Sequence, residues 1–366
     1  MNDVISCVPY NKRIKKFKDV YLEAISSKGM HHPWQAASGI GISAVQEDLV
    51  DRCKELSNID NWILTDCGSD SLLIAILTLT NPGDLILVPA YGWISAANAV
   101  TILNRRIEFI DVDKTGNISI EAIKTYLNSG EEIPSAIIVI HSFGTIVDCK
   151  EIQDICSCFS IKIIEDAAQS FILDEQSLYK YLPGQYSDIT CYSFDFTKIP
   201  GTLGTGGGIA TNNSKYMDKI FRLSNLGKNK KIFVGNGIKS YMDTMTCSIL
   251  LCELDLLKKF NNKSIIRQIA KWFDKNLKYN RITGENYIFQ KYIIEVEDKD
   301  KILFDLRENN ILASSTAEMD IANKMLFYST KEFKGARWFG ENTIQIPCHP
   351  YLTKENINRI RDTLNK

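Results

Sequence analysis

The sequence predicts an α/β protein: a large domain with a mostly parallel sheet covered by helices, then a smaller α+β domain at the carboxy-terminal end. Short apolar runs alternate with helical patterns through the first two thirds of the chain, and the last third mixes strands and helices. Because 366 residues exceed what one hydrophobic core usually organises, we expect two domains. The first would cover residues 1–250, including an amino-terminal arm, and the second residues 251–366.

The predicted strands of the large domain are short and apolar on both faces, as expected for a sheet buried between two layers of helices. In chain order the expected elements are strand 62–65, helix 69–80, strand 84–89, helix 94–103, strand 107–111, helix 120–127, strand 136–140, helix 149–158 and strand 161–165.

The pattern changes after residue 165. Strands at 189–194 and 208–211, joined by a glycine-rich turn, predict a hairpin-like excursion. Residues 241–277 carry an uninterrupted helical pattern, which predicts one long helix bridging the two domains. The small domain would then contain a strand at 292–296 and helices at 302–308 and 354–364.

The composition excludes several classes of protein. Hydrophobic residues make up 45% and charged residues 24%, which is typical of a soluble globular chain and not of a disordered, collagenous or disulfide-stapled one. Forty-three basic residues against forty-four acidic ones leave a formal charge of −1, so nothing calls for nucleic acid as a partner. No run approaches the ~18–20 apolar residues of a membrane span, and residues 1–16 lack the apolar core of a secretory signal. We therefore expect a cytoplasmic protein.

The ten cysteines are scattered singly, without a C-x-x-C pair. In apolar surroundings a free cysteine behaves as a small buried hydrophobe. We interpret them as reduced structural thiols, and the sequence predicts no metal site.

Polar residues suited to binding or catalysis stand at the ends of several strands. Gly68 and Ser69 stand between a strand and a helix, where free N–H groups at a helix start attract anions and a serine can cap the helix. The alternative is an ordinary helix cap. Asp166 ends a very apolar strand, and a carboxylate there needs a cation or a strong donor, such as a protonated ring nitrogen. The alternative for Asp166 is that it caps a following helix.

A lysine and a tryptophan complete this set. Lys198 follows the strand 189–194 among aromatic residues, and partial burial would lower the pKa of its amine and make it reactive. The alternative is a solvated lysine. Trp93 stands just after the strand 84–89 and offers a flat face for stacking on an aromatic ring. The alternative is that it fills the core. The glycines at 201–208 suggest a dinucleotide-binding loop, but a strand-like segment follows them where a helix is required, so we reject that function.

In this order, a phosphate turn, a stacking aromatic residue, a strand-end Asp and a strand-end Lys resemble the fold-type I pyridoxal phosphate enzymes. More closely, the chain resembles the nucleotide-sugar aminotransferases of the DegT–StrS group, over nearly its whole length. The matching segments are the phosphate turn 68–72, the proline-aromatic segment 89–93, the histidine-x-aromatic-glycine turn 141–144, the acidic block 165–169, the lysine segment 193–198 with its glycines 204–211, and the carboxy-terminal signature 347–353.

The resemblance implies pyridoxal 5'-phosphate as the cofactor and a role for each matching residue. Lys198 would form the covalent imine with the cofactor and later shuttle the proton, and Asp166 would bind the pyridine nitrogen. Gln169 would lie on the ring hydroxyl side, and Trp93 would stack on the ring. The phosphate would be held by Gly68, Ser69 and Ser193.

The chain departs from the group's pattern in one phosphate-binding segment. The group usually has a glycine-x-asparagine-x-arginine run whose asparagine is donated to the phosphate by the partner subunit. Here Lys239 stands at the asparagine and Tyr241 at the arginine. Because a lysine can still meet a phosphate as a point charge, Lys239 is a candidate cofactor-binding residue. Asp195 and Thr205 are two further departures.

The resemblance implies a homodimeric transaminase with shared active sites. It would move an amino group from L-glutamate to a nucleotide-linked keto-sugar in amino-sugar, surface polysaccharide or glycoside biosynthesis. Three alternatives stay open: a non-catalytic or regulatory ligand-binding relative, a pyridoxal phosphate-dependent sugar dehydratase, and a nicotinamide dehydrogenase. In the dehydratases a histidine replaces the lysine, whereas this chain has Lys198.

Overall fold

The structure is a computed structural model that describes residues 4–29, 43–173, 176–229, 232–282, 284, 286–324 and 331–366. It confirms the predicted α/β class, with a seven-stranded sheet between helices and smaller sheets beside it. The elements up to residue 224 are β1 (Ile5–Ser6), α1 (Tyr10–Ala24), α2 (Ala44–Ser57), β2 (Asn61–Thr65), α3 (Gly68–Leu79), β3 (Leu85–Pro89), α4 (Ser95–Ile102), β4 (Arg106–Ile110), α5 (Ile120–Asn128), β5 (Ala136–Ile140), α6 (Cys149–Ser157), β6 (Lys162–Asp166), β7 (Ile189–Ser193), β8 (Gly207–Thr211) and α7 (Ser214–Ser224).

The later elements form a second group that is richer in short strands. They are β9 (Lys228–Asn229), β10 (Ile232–Phe233), α8 (Thr244–Lys259), α9 (Asn262–Asn276), β11 (Arg281–Ile282), β12 (Tyr292–Glu295), α10 (Lys299–Glu308), β13 (Ile311–Leu312), β14 (Ser314–Ser315), α11 (Ile321–Lys324), α12 (Lys334–Asn342), β15 (Thr343–Ile346) and α13 (Lys354–Leu364).

The large sheet has the strand order β2-β8-β7-β6-β5-β3-β4. Strands β4, β3, β5, β6 and β7 are parallel to one another, and β8 pairs antiparallel with both β7 and β2. The expected hairpin of β7 and β8 is therefore confirmed. Because β8 alone is reversed, β2 runs in the same direction as the parallel strands, and their carboxyl ends share one edge.

Strand β5 lies in the middle of this sheet and is buried on both faces. Ile138 packs in a cluster with Ile74 of α3, and Val139 packs in a second cluster with Ile123 of α5 and Ile152 of α6. Alternate side chains of one strand thus contact helices on opposite sides, which explains its uninterrupted apolar sequence.

The smaller sheet has the order β11-β12-β15-β14 and is antiparallel throughout. Its core contains Phe273 of α9, Ile294 of β12 and Ile360 of α13. Ile5 belongs to the same core, because β1 pairs with β13 in the register Ile5↔Ile311. The division into two domains at residue 250 stays a prediction, and it falls inside α8.

The predicted long helix over 241–277 is wrong, because two helices, α8 and α9, occupy this stretch. They are separated at Asn261, whose backbone is left-handed with φ 50°. Asparagine tolerates that conformation better than most residues, and the continuous apolar pattern concealed the break.

All ten cysteines lie within the described residues and are free thiols, as expected. None of the helices in the described ranges combines the length and the apolar character needed to cross a bilayer.

Candidate active site

The candidate site lies at the edge where the parallel strands of the large sheet end. Ligands of open α/β sheets bind at this edge, outside the carboxyl ends of the strands. Asp166 is the last residue of β6 and Ser193 the last of β7, while Gly68 opens the helix after β2. Trp93 and Lys198 follow the ends of β3 and β7 within five residues. The topology therefore brings the predicted residues to one edge.

Gly68 and Ser193 are in direct contact. A Cβ atom placed on Gly68 would lie 2.9 Å from the Cβ of Ser193 and 3.3 Å from the carbonyl oxygen of Tyr192. Only a residue without a side chain fits this close approach. The start of α3 thus lies directly against the end of β7, with a serine hydroxyl beside free N–H groups of a helix start.

Ser69 does not cap α3, so that part of the expectation is wrong. The helix begins at Gly68 and its cap position is Cys67, because the helical turn starts one residue earlier than expected. The Ser69 hydroxyl is exposed and lies 2.9 Å from the hydroxyl of Ser95 at the start of α4. Two hydroxyl groups from neighbouring helix starts therefore face solvent at the predicted phosphate turn.

Asp166 is only 7% exposed. Its Oδ1 accepts a hydrogen bond of 3.0 Å from the N–H of Ala168, which lies in a turn, so Asp166 does not cap a helix. Burial raises the pKa of this carboxyl, while the Ala168 amide and the charge of Lys198 act in the opposite direction. A cation brought to Asp166 would keep it ionised in this buried position.

Lys198 is partly buried, which rules out the alternative of a solvated surface lysine. Removal from water lowers the pKa of its amine, and the negative charges of Asp166 and Asp195 partly oppose that change. Since the charge of each group acts on the pKa of the other, Lys198 and Asp166 lie within electrostatic reach of each other. A lysine with a lowered pKa holds more of the neutral amine, which is the nucleophile and the base.

The loop that carries Lys198 is held by its own polar groups. The Asp195 carboxylate accepts hydrogen bonds from the amide and the hydroxyl of Thr197, at 2.9 and 2.6 Å, and the Asp195 carbonyl accepts one of 2.8 Å from the Lys198 N–H. The Phe194 N–H donates to the Gly206 carbonyl across the hairpin. The glycines lead into β8 and not into a helix, which confirms the rejection of a dinucleotide-binding loop.

Trp93 is 57% exposed, so the alternative of a core tryptophan is wrong. Its neighbour Tyr91 is completely buried and takes the core position. An exposed indole at the strand edge remains available for stacking. The roles predicted for Trp93 and the other site residues stay predictions.

Gln169 and Lys239 differ in how the structure connects them to the site. The Gln169 Oε1 accepts a hydrogen bond of 2.7 Å from the Phe143 N–H, so it fastens the turn after β5 and leaves its NH₂ group for another partner. Lys239 is exposed, with Nζ 5.4 Å from the ring centre of Tyr241. Its neighbour Ser240 accepts a hydrogen bond from the Asp66 N–H, which places this segment beside the phosphate turn of its own chain. Among the described contacts, none joins Lys239 to the other predicted residues.

The sequence analysis assigned no role to the buried pair of His141 and Glu165, which lies beside Asp166. The His141 Nε2 lies 3.3 Å from the Oε2 of Glu165, and both side chains are fully buried. The His141 Nδ1 accepts a hydrogen bond from the Val147 N–H, so its proton is on Nε2 and is donated to Glu165. The Gly184 N–H donates to the same Glu165 oxygen. This network fixes the end of β6 from the face opposite Asp166.

The sequence analysis also missed a cavity that Lys198 lines. Arg13 of α1 lines it and donates a hydrogen bond of 2.7 Å to the Thr202 carbonyl of the lysine loop. The side-chain amide of Gln290 pairs with the N–H and carbonyl of Ile199, at 3.0 and 3.3 Å. Lys291 lines the same cavity. The available signal was small: Lys291 is the charged residue directly before the predicted strand 292–296.

These residues fit pyridoxal phosphate. The close contact of Gly68 with Ser193 brings the Ser193 hydroxyl next to the N–H groups at the start of α3, which are donors suited to a phosphate. A buried carboxylate suits a protonated ring nitrogen, and an exposed indole suits the ring face. The partly buried amine of Lys198 suits an aldehyde.

Comparison with known proteins agrees with this chemistry. The UDP-2-acetamido-2-deoxy-3-oxo-D-glucuronate aminotransferase of Pseudomonas aeruginosa is 25% identical over 327 residues, which cover 86% of this chain and 88% of that protein. The 3-oxo-glucose-6-phosphate:glutamate aminotransferase of Bacillus subtilis is 29% identical over 334 residues, which cover 82% of this chain and 71% of that protein.

The fold agrees as well. The crystal structure of ntda from Bacillus subtilis, with bound cofactor PMP, superimposes with a TM-score of 0.82 at 22% identity, covering 99% of this chain and 85% of that one. The model of the DegT/DnrJ/EryC1/StrS aminotransferase family matches residues 47–365, and this family depends on pyridoxal phosphate. With the family pattern extending over most of its length, the chain belongs to the DegT/DnrJ/EryC1/StrS aminotransferase family.

Proposed function

We propose that the chain forms a homodimeric aminotransferase that transfers the amino group of L-glutamate to a keto-sugar attached to a nucleoside diphosphate. The observation that carries this proposal is that a buried carboxylate, Asp166, and a partly buried amine, Lys198, lie within electrostatic reach of each other at the strand edge. The exposed Trp93 and the turn at Gly68 lie at the same edge.

Asp166 and Lys198 would have different roles in the reaction. When bound, pyridoxal phosphate supplies an aldehyde that receives the amino group and an electron-poor ring that acidifies the neighbouring C–H bond. Asp166 holds the proton at the ring nitrogen, and the burial that raises its own pKa makes that cation the favoured partner. Lys198, with its lowered pKa, would take the proton from the donor Cα and deliver it to the carbon on the other side of the transferred nitrogen, because its amine is neutral in a larger fraction of molecules.

The proposed second subunit would cover an apolar surface on β10 and its surroundings. Ile232 is 64% exposed and Phe233 is 68% exposed, and Tyr241 and Met245 are about half exposed. Exposed large apolar side chains are typical of a protein interface. Phe233→Glu should convert a dimer into a monomer in analytical ultracentrifugation. A wild-type chain that sediments as a monomer at micromolar concentration would contradict the homodimer.

The sugar substrate is proposed from the chemistry of the relatives. The Pseudomonas aeruginosa relative is named for a UDP-linked keto-sugar, and the Bacillus subtilis relative for a keto-sugar phosphate without a nucleotide and for glutamate. We therefore propose glutamate as the donor and a nucleotide-linked ketone as the acceptor. The aminated enzyme is mixed in turn with a nucleotide-linked keto-sugar and with a keto-sugar phosphate. The true acceptor is the ketone that restores the absorbance spectrum of the aldehyde form.

The decisive experiment concerns Lys198. The wild-type chain with pyridoxal phosphate should show a visible absorbance band that borohydride bleaches, leaving the added mass on the peptide that contains Lys198. L-Glutamate alone should convert the band in a half-reaction. Lys198→Ala should lose both signals, while Lys215→Ala, at an exposed lysine, should keep them. Full turnover by Lys198→Ala would sink the proposal, and a bound cofactor without any half-reaction would favour a regulatory relative.

A further inference from the structure

A second lysine lies beside Lys198 in the same cavity. The side-chain amide of Gln290 pairs with both the N–H and the carbonyl of Ile199, so the start of β12 lies against the lysine loop. Lys291 follows Gln290 and Lys198 precedes Ile199, and both lysines line the cavity. The charge of Lys198 acts on the pKa of Lys291, which places the two amines near each other.

The basic and acidic groups around this cavity are mostly paired. The Arg13 guanidinium forms an ion pair with Glu253 at 3.4 Å, and the Asp195 carboxylate accepts two hydrogen bonds from Thr197. Lys198 has Asp166 and Asp195 as its negative neighbours. Each of these charged groups therefore has a partner or neighbour of its own, and none of them forms a hydrogen bond with Lys291.

The remaining titratable neighbours are neutral. His349 uses Nε2 on the Ser6 carbonyl and Nδ1 on the Tyr351 N–H, and burial lowers its pKa to about 4. Burial raises the pKa of the Cys7 thiol to about 11 and that of the Tyr351 hydroxyl to about 12. Burial also raises the pKa of the Cys348 thiol and of the Tyr292 hydroxyl, and the Tyr10 hydroxyl donates to the Leu203 carbonyl.

Lys291 differs from these groups. Within the described ranges, its Nζ has no hydrogen-bond acceptor and no ion-pair partner. Burial, followed by the charge of Lys198, lowers its pKa to about 8, so it is still mainly protonated at neutral pH. A partly buried ammonium without a partner, open to a cavity, is a binding group for an anion.

We propose that Lys291 binds the carboxylate of the amino donor. The inference rests on the proposed function, because it assigns the donor to the cavity that contains Lys198. Every α-amino acid has a carboxylate close to the amine that is transferred. Two neighbouring lysines suit this arrangement, because Lys198 can act at the amine while Lys291 binds the carboxylate. The carboxylate of an acidic sugar has the same chemistry and is a separate outcome of the test.

The test is a calorimetric titration of the full chain with glutarate, a dicarboxylate without an amine, between pH 6.5 and 9.5. The chain is prepared with and without pyridoxal phosphate. Wild-type affinity should be greatest near neutral pH and should fall up to tenfold per pH unit above about 8. Lys291→Met should bind about 10- to 100-fold more weakly at pH 7 and show no such fall. Lys291→Arg, which stays charged, should bind without the loss above pH 8.

Lys271→Met provides the matched control, because it removes the same charge from an exposed position on α9 that does not line the cavity. It should bind like the wild type. Equal glutarate affinity and pH dependence for the wild type and Lys291→Met would overturn the proposal, as would a wild type that does not bind glutarate. Binding of D-glucuronate in place of glutarate, with the same dependence on Lys291, would overturn the assignment to the donor.

The proposed function is tested separately from the role of Lys291. The visible absorbance band that borohydride bleaches is recorded on the same preparations. Absence of this band in the wild type would overturn the proposed function, whereas the titration of the cofactor-free chain decides the role of Lys291. Circular dichroism of each variant checks that a loss of binding is not a loss of fold.

Discussion

Arg13 of α1 and Glu253 of α8 form an ion pair, with 3.4 Å between Nη1 and Oε1, and both side chains are almost completely buried. The other Glu253 oxygen accepts a hydrogen bond of 2.6 Å from the Tyr21 hydroxyl. Arg13 also donates to the Thr202 carbonyl, next to the loop of Lys198. One guanidinium therefore connects α1, α8 and the loop that carries Lys198.

Breaking this pair should be costly. Arg13→Met leaves the Glu253 carboxylate buried without its cation and should lower the free energy of unfolding by about 3–5 kcal/mol. Lys150→Met, which breaks the exposed pair with Asp154, should cost less than about 1 kcal/mol. Urea denaturation measures both values. Equal losses for the two variants would show that the buried pair is not a structural contact of consequence.

His349 should make the protein sensitive to acid. Its pKa is lowered to about 4 by burial, against about 6.5 in an unfolded chain, so protonation favours unfolding. This stability is fully present above pH 6.5 and is lost as the pH falls toward 4, by about 3 kcal/mol in total. His349→Gln, which can still donate to the Ser6 carbonyl, should flatten the decline of the free energy of unfolding between pH 6.5 and 4. An unchanged slope in urea titrations would refute this assignment.

Asp166→Asn should separate folding from chemistry. The amide oxygen can still accept the Ala168 hydrogen bond, and the variant no longer buries a carboxylate, so the thermal midpoint should not fall. Without a negative charge at the ring nitrogen, we expect turnover to decrease by about 100-fold or more, the order of magnitude seen when one electrostatic partner is removed from an active site. Steady-state kinetics with glutamate and calorimetry of unfolding provide the two readouts. Wild-type turnover in this variant would remove Asp166 from the site.

Gly68→Ala should disturb the phosphate turn. Its Cβ would come within 2.9 Å of the Ser193 Cβ, so β7 and α3 must separate, at a cost of about 1–3 kcal/mol. The affinity for pyridoxal phosphate should fall with it. Gly235→Ala is the matched control, because a Cβ there meets no atom within 4 Å. Denaturation curves and fluorescence titration with the cofactor compare the two variants, and equal behaviour would contradict the close contact described here.

The sequence predicted those parts of the site that depend on local order. Asp166 and Ser193 end strands and Trp93 follows one, and the parallel direction of these strands brings their ends to one edge. Such a prediction needs only the alternation of strands and helices, which the apolar pattern shows clearly.

Arg13 and Lys291 could not be found in this way. Arg13 contacts the lysine loop and Lys291 lines the cavity beside it, each from a distant part of the chain, and no periodicity encodes that packing. The break at Asn261 was missed because apolar spacing dominates over the conformational preference of one residue. Helix α2 did carry a visible signal, since Ser43 and Gln46 have the spacing of a capping box and the Gln46 side chain accepts the Ser43 N–H.

The pairing of Ile5 with Ile311 has a consequence for biosynthesis. During translation the amino-terminal strand emerges about three hundred residues before its partner, which at ~5–20 residues per second is a delay of roughly 15–60 s. Until then Ile5 cannot join the core around Phe273, which also lies far downstream. Strand β1 therefore leaves the ribosome long before it can pair with β13.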